Sequence, residues 1–217
     1  MDDLLASLDG RTAIIIAAEK LFAEFGLHGP SLRLISETAK QRNASVIQYH
    51  FGTRDKLVEA VFAYRMQAID PRRKIRLDAL KEAGLTKNVR GLISVIVWPL
   101  AEEIRPRPEG NHYVQFLSRT GFEKQLVVEL APAHLMTAWY EAGEFLRDAL
   151  SELPAEVSQT RLVAAGGQCV NCLANFEADG LGARPEFDLR VETLIDMIAA
   201  GLEAPMSAES EAALQRV

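Results

Sequence analysis

The amino-acid sequence predicts an all-α protein with a small N-terminal module and a larger helical body, on three observations. Apolar residues recur at helical spacing along most of the 217-residue chain. Breakers interrupt that periodicity at Gly26, Gly52, Gly84, Pro106, Pro108, Pro132, Pro154, Gly180 and Pro185. No run alternates apolar and polar residues convincingly enough for a strand, and there is no internal repeat. The length allows an ample core. A charged fraction of 25% and a mean hydropathy of +0.01 argue against a membrane protein. The longest apolar run, Leu92 to Ala101, contains Ser94 and Pro99 and is too short to span a bilayer. Acidic residues stand at the N-terminus where a secretory signal would be basic, and two cysteines make no disulfide framework. A cytoplasmic location is expected.

The N-terminal elements follow in order. Ile14, Ala18, Leu21, Phe22 and Phe25 share one face of a helix over 11–25, with Asp9 as N-cap and Gly26 as stop. After a connector, Ser31 caps a short helix whose Leu32, Ile35 and Ala39 face inward. Lys40-Gln41-Arg42 forms a turn. Asn43 caps a second short helix, anchored by Ile47 and Phe51, which Gly52 ends. Thr53 then caps a longer helix carrying Leu57, Val58, Val61 and Phe62. Two short helices joined by a turn and braced by a third fit a helix-turn-helix DNA reader.

Charge supports the same reading. The chain has a net charge of −6, yet residues 11–76 hold 12 Lys/Arg and 6 Asp/Glu, while residues 77–217 hold 12 and 21. A basic module attached to an acidic body suits a polyanionic partner. With Ile47 and Phe51 inward, Ala44, Ser45, Gln48 and Tyr49 lie outward. Small residues let the helix start approach the groove floor, and Gln48 can pair with an adenine edge. Tyr49 and His50 can donate to phosphates, as can Arg54 and the N–H groups following Thr53; Arg33 could reach a guanine or a phosphate.

The chain resembles the TetR family of transcriptional regulators over residues 11–65. The matching residues are Ile14-Ile15, Ala17-Ala18, Leu21-Phe22-Ala23-Glu24 and Gly26, then Ser31, Arg33, Ile35 and Ala39. They end with Tyr49-His50-Phe51-Gly52-Thr53-Arg54-Asp55-Lys56-Leu57. The resemblance implies a homodimer that binds a palindromic operator and is released by a small, largely apolar effector. It also implies DNA contacts at Ser31, Arg33, Asn43, Ser45, Val46, Gln48, Tyr49, His50 and Arg54. One departure stands out. Family members commonly follow the alanine matching Ala39 with glycine and one apolar residue, whereas here Lys40-Gln41-Arg42 intervenes without glycine. Arg42 thereby becomes a further candidate contact.

The expected organisation is an arm over 1–10, a helix-turn-helix domain over 11–65, an effector-binding and dimerisation domain over 66–204 and a flexible tail over 205–217. Body helices are predicted at about 72–83, 87–104, 109–124, 130–152, 155–179 and 186–203. A dimer would spare one short helix from reading the operator alone. The last two helices offer an interface of Leu162, Ala165, Gly166, Cys169, Val170, Leu173, Val191, Leu194, Ile195 and Ile198. Aromatic and soft residues in the middle helices suit a mainly apolar effector pocket, lined by some of Trp98, Tyr113, Phe116, His134 and Trp139, with a kink at Pro99. Cys169-Val-Asn-Cys172 could alternatively sense redox state or metal, although small buried cysteines are the ordinary reading. Enzyme motifs are missing from the text, and His28, His50, His112 and His134 are scattered. No catalytic residue, cofactor or resident metal is expected. A helical scaffold or small-molecule-binding protein is the remaining alternative.

Overall fold

The computed structural model describes residues 8–41, 43, 45–108, 110–120 and 132–216. Arg42, Ala44 and parts of the helices predicted over 109–124 and 130–152 lie outside the described residues. Among the described residues the secondary structure is entirely helical, with ten α-helices, three short 3-10 turns and no strand. No described helix is long and apolar enough to cross a membrane.

Local chemistry sets most N-terminal boundaries. Helix α1, Gly10–Phe25, begins where the Asp9 carboxylate accepts from the Arg11 and Thr12 N–H groups, and ends at Gly26 with φ 75°. Phe25, expected to face inward, is exposed. Ser31 caps α2, Leu32–Thr38, by accepting from Leu34 N–H. Asn43 accepts from Ser45 N–H at the start of α3, Ser45–Phe51. Thr53 caps α4, Arg54–Glu82, through Lys56 N–H.

Helix α4 corrects an expected break. It continues through Pro71 for 29 residues. Pro71 lies on the exposed side, and the carbonyl deprived of its partner belongs to exposed Gln67, where solvent can satisfy it. Meanwhile the buried stripe of Leu57, Val61, Arg65, Ile69, Arg73 and Leu77 runs on unbroken.

Helix α5, Val89–Ala101, starts at an Asn88 cap and contains Pro99 close to its end, where the chain tightens into the 3-10 turn Glu102–Ile104. Then come α6, Tyr113–Thr120, the turn Ala133–Leu135 and α7, Thr137–Ala149. Helices α8, Ala155–Ala178, and α9, Phe187–Glu203, flank the turn Leu181–Ala183. A Cβ on Gly182 would sit 2.3 Å from the Ile104 carbonyl oxygen, so only glycine lets the two turns meet. The tail, expected to be flexible, forms α10, Ala208–Leu214. Ser207 caps it, its alanines and glutamates favour helix, and none of its residues is buried.

One hydrophobic core is continuous from α1 to α9. Helix α4 packs on α1, α5 and α7; α6 lies between α1 and α8; and α9 covers α5 and α8.

Candidate nucleic-acid interface and interior sites

Helix α3 is held by one short edge. Ile47 and Phe51 are buried and Val46 is half-buried against the core, while Ser45, Gln48, Tyr49 and His50 are exposed. Tyr49 is 85% exposed, with the His50 ring edge-on at 5.1 Å. A tyrosine that bare gains nothing from the core, so its surroundings favour a surface role.

The flanking candidates divide. Ser31, Asn43 and Thr53 are exposed but already cap helices through their side chains. Arg33 is exposed and paired with Glu37 at 2.8 Å. Arg54 is placed differently from a phosphate ligand. Its guanidinium donates to the Leu27 and Pro30 carbonyls at 2.7 Å each and lies 5.9 Å from the Phe22 ring centroid. Arg54 therefore braces the connector between α1 and α2.

The turn is closed by an unexpected residue. Lys40 has φ 56°, in the left-handed region. Its N–H donates to the Glu37 carbonyl and the Gln41 N–H to the Ser36 carbonyl, the paired bonds of a Schellman helix end. Lys40 thus takes the backbone conformation that glycine would adopt at lower cost.

Sequence reasoning missed an interior layer of charge. Arg65 is 1% exposed and donates twice to Glu19, at 2.7 and 2.8 Å, with Glu103 3.5 Å from its other terminal nitrogen. Burial works against the guanidinium, yet Glu19's hydrogen bonds and charge, followed by Glu103, keep it above its ordinary range. Two carboxylates also hold α6 from opposite sides. Glu19 of α1 accepts from His112 N–H at 3.0 Å, and Glu177 of α8 accepts from Gln115 N–H at 2.8 Å. Burial raises the Glu177 carboxyl to about 7, and its second oxygen has no partner. A signal did exist: Glu19 and Arg65 interrupt otherwise apolar helical stripes.

The aromatic candidates do not converge. Tyr113 and Phe116 are fully buried and packed on each other, with ring centroids 5.9 Å apart. Trp98 stands at the edge of α5, donating to Glu192 at 2.7 Å beside a shallow groove of about 510 Å³. His134 and Trp139 are exposed near the start of α7. The reason is the docking of α7: Asp70 of α4 accepts from Thr137 Oγ1 and from the Ala138 and Trp139 N–H groups, which leaves Trp139 at the surface.

The expected interface residues also divide. Cys169, Leu173, Val191, Leu194, Ile195 and Ile198 are at most 5% exposed, consumed by packing within the chain. Leu162, Ala165 and Val170 are half-buried, and Gly166 is exposed. The apolar groups that α8 and α9 turn outward are Val163, Leu189 and Met197, 53%, 69% and 58% exposed. Cys169 and Cys172 are free thiols, and burial pushes Cys169 up to about 12, against thiolate chemistry.

A scan against protein-family models returns no match, and a search of the curated proteins returns none.

Proposed function

We propose that this chain is a ligand-responsive transcriptional regulator in which α2 and α3 form a helix-turn-helix and α3 enters the major groove. The observation that carries the reading is the exposed row of Ser45, Gln48, Tyr49 and His50 on a short helix anchored only by Ile47 and Phe51 and half-buried Val46, within the basic part of the chain. The resemblance in residues 11–65 supports it. Lys40 supplies the left-handed turn where those regulators commonly carry glycine, so the extra turn residue does not prevent a compact helix end.

The protein acts as a homodimer, two copies of α3 reading half-sites about 34–36 Å apart or a multiple of that spacing. Val163, Leu189 and Met197 suit the surface between the copies. Repression is the default direction, as the resemblance implies, and a small effector in the body releases the operator. Coupling runs through α4, which is separated from α3 only by Gly52 and Thr53 and packs against α1, α5 and α7. An effector shifts this arrangement only by binding one conformation more tightly than the other.

Fluorescence anisotropy against the protein's own upstream intergenic DNA, with scrambled DNA and a salt series, tests the reading. Tight, sequence-preferring binding that weakens steeply with salt and is lost in Gln48→Ala and Tyr49→Ala is expected. No binding at low salt to any promoter-derived fragment would refute it.

A further inference from the structure

One buried cation lacks a hydrogen-bonded carboxylate. Arg73 of α4 is 3% exposed. Its Nη1 lies 3.7 Å from Met66 Sδ and 3.8 Å from Asp70 Oδ1, the latter beyond hydrogen-bond range. Asp70 already accepts three hydrogen bonds from the start of α7. Arg73 Nε has no partner. The Tyr113 hydroxyl of α6, wholly buried and the foremost electrostatic neighbour of Arg73, is also without one. Burial holds Arg73 below its ordinary range, and its electrostatic neighbours are Tyr113, Asp70 and Cys169. Arg65 differs in that a carboxylate, Glu19, takes two of its hydrogen bonds, although its Nη1 makes none and faces Glu103 at 3.5 Å.

Arg73 Nε and the Tyr113 hydroxyl are interior donors without acceptors. The carboxylate paired with Arg73, Asp70, stands at ion-pair distance and is committed to α7, so an incoming acceptor of negative charge suits both groups. The surroundings of Tyr113 are apolar: its ring is stacked on Phe116 and edge-on to Phe62. We infer that the effector is a small organic carboxylate whose anionic group binds Arg73 and accepts from the Tyr113 hydroxyl, its apolar part lying among these rings. This inference rests on the regulator reading for its biological role, not for the binding itself. Because Arg73, Tyr113 and Phe116 are all buried, the ligand enters only if the surrounding helices part, and α6, which carries two of the three, is the element taken to move. Helix α6 is the one that Glu19 ties to α1 and Glu177 ties to α8, so entry disturbs both.

The test uses the full chain without DNA. Thermal unfolding and calorimetry are run with sodium benzoate and sodium octanoate, against benzamide and octanamide as neutral isosteres. At least one carboxylate should bind and raise Tm in a concentration-dependent way, with its amide at least about tenfold weaker. Tyr113→Phe should leave ligand-free Tm unchanged or higher, since it removes an unpartnered hydroxyl, while weakening the carboxylate about tenfold. Arg73→Gln should abolish binding; should it fail to fold, Arg73→Lys keeps the charge, loses the fork and should still weaken binding. Equal binding of acid and amide, no binding of either acid, or an unchanged affinity in Tyr113→Phe would overturn the site. Anisotropy separates the two readings. Carboxylate binding without operator binding sinks the regulator and keeps the site, and operator binding without carboxylate binding does the reverse.

Discussion

At the scale of residues, the interior charges carry the sharpest consequences. Replacing Arg65 with Met leaves Glu19 buried without its cation, while Glu103 keeps Arg72 and Arg107, and should cost about 3–5 kcal/mol, read as a lower urea midpoint. Adding Glu19→Met should recover part of the loss, because the uncompensated charge is then smaller. Glu177 makes the stability depend on pH. Burial lifts its carboxyl from 4.5 to about 7, so the folded state holds a proton that the unfolded state has released. Stability therefore falls as pH rises from about 4.5 through 7, by on the order of 3 kcal/mol. Glu177→Gln should flatten that slope and be more stable than the natural protein at about pH 8, with little difference at about pH 4.5. A parallel slope in the variant would refute the assignment. Such residues are half legible in sequence: their place on buried stripes can be read, but their partners lie 46 or 62 positions away.

Elements were legible wherever their ends are set locally. Asp9, Ser31, Asn43 and Thr53 mark helix starts because each side chain bonds an N–H two or three residues onward. The starts of α6 and α7 fall later than their periodicity suggests because their caps are tertiary: Glu19 and Glu177 for α6, Asp70 for α7. Pro71 misled for a related reason. Its cost depends on which side of the helix it faces, and that is set by the packing of α4. The exposed row on α3 could be read because two anchors at i and i+4 fix its rotation, whereas Arg54's carbonyl partners could not. At the turn, Lys40→Gly should relieve the left-handed strain and stabilise the protein by about 1 kcal/mol, seen as a higher Tm. An unchanged or lower Tm would mean that the Lys40 side chain's own contacts outweigh the strain.

For the whole molecule, the proposed dimer turns on which face of α8 and α9 is left for a second copy. Sequence periodicity singles out the most apolar stripe, yet α9 spends Val191, Leu194, Ile195 and Ile198 against α5 and α8. One stripe cannot serve two partners. What remains outward is less apolar and mixed with small residues: Val163 and exposed Ala164 and Gly167 on α8, Leu189 and Met197 on α9. Small residues permit close approach of helices, and two large side chains such as Leu189 and Met197 can fill the space between them. Leu189→Asp with Met197→Asp should therefore fold normally, because both positions are exposed, while sedimenting as a monomer. Its affinity for a full operator should fall by about a hundredfold or more, as two linked readings become one. Ile195→Asp should behave in the opposite manner, losing the fold itself, since it buries an unpaired charge in the chain's own core. A double variant that stays dimeric would move the interface elsewhere on the molecule.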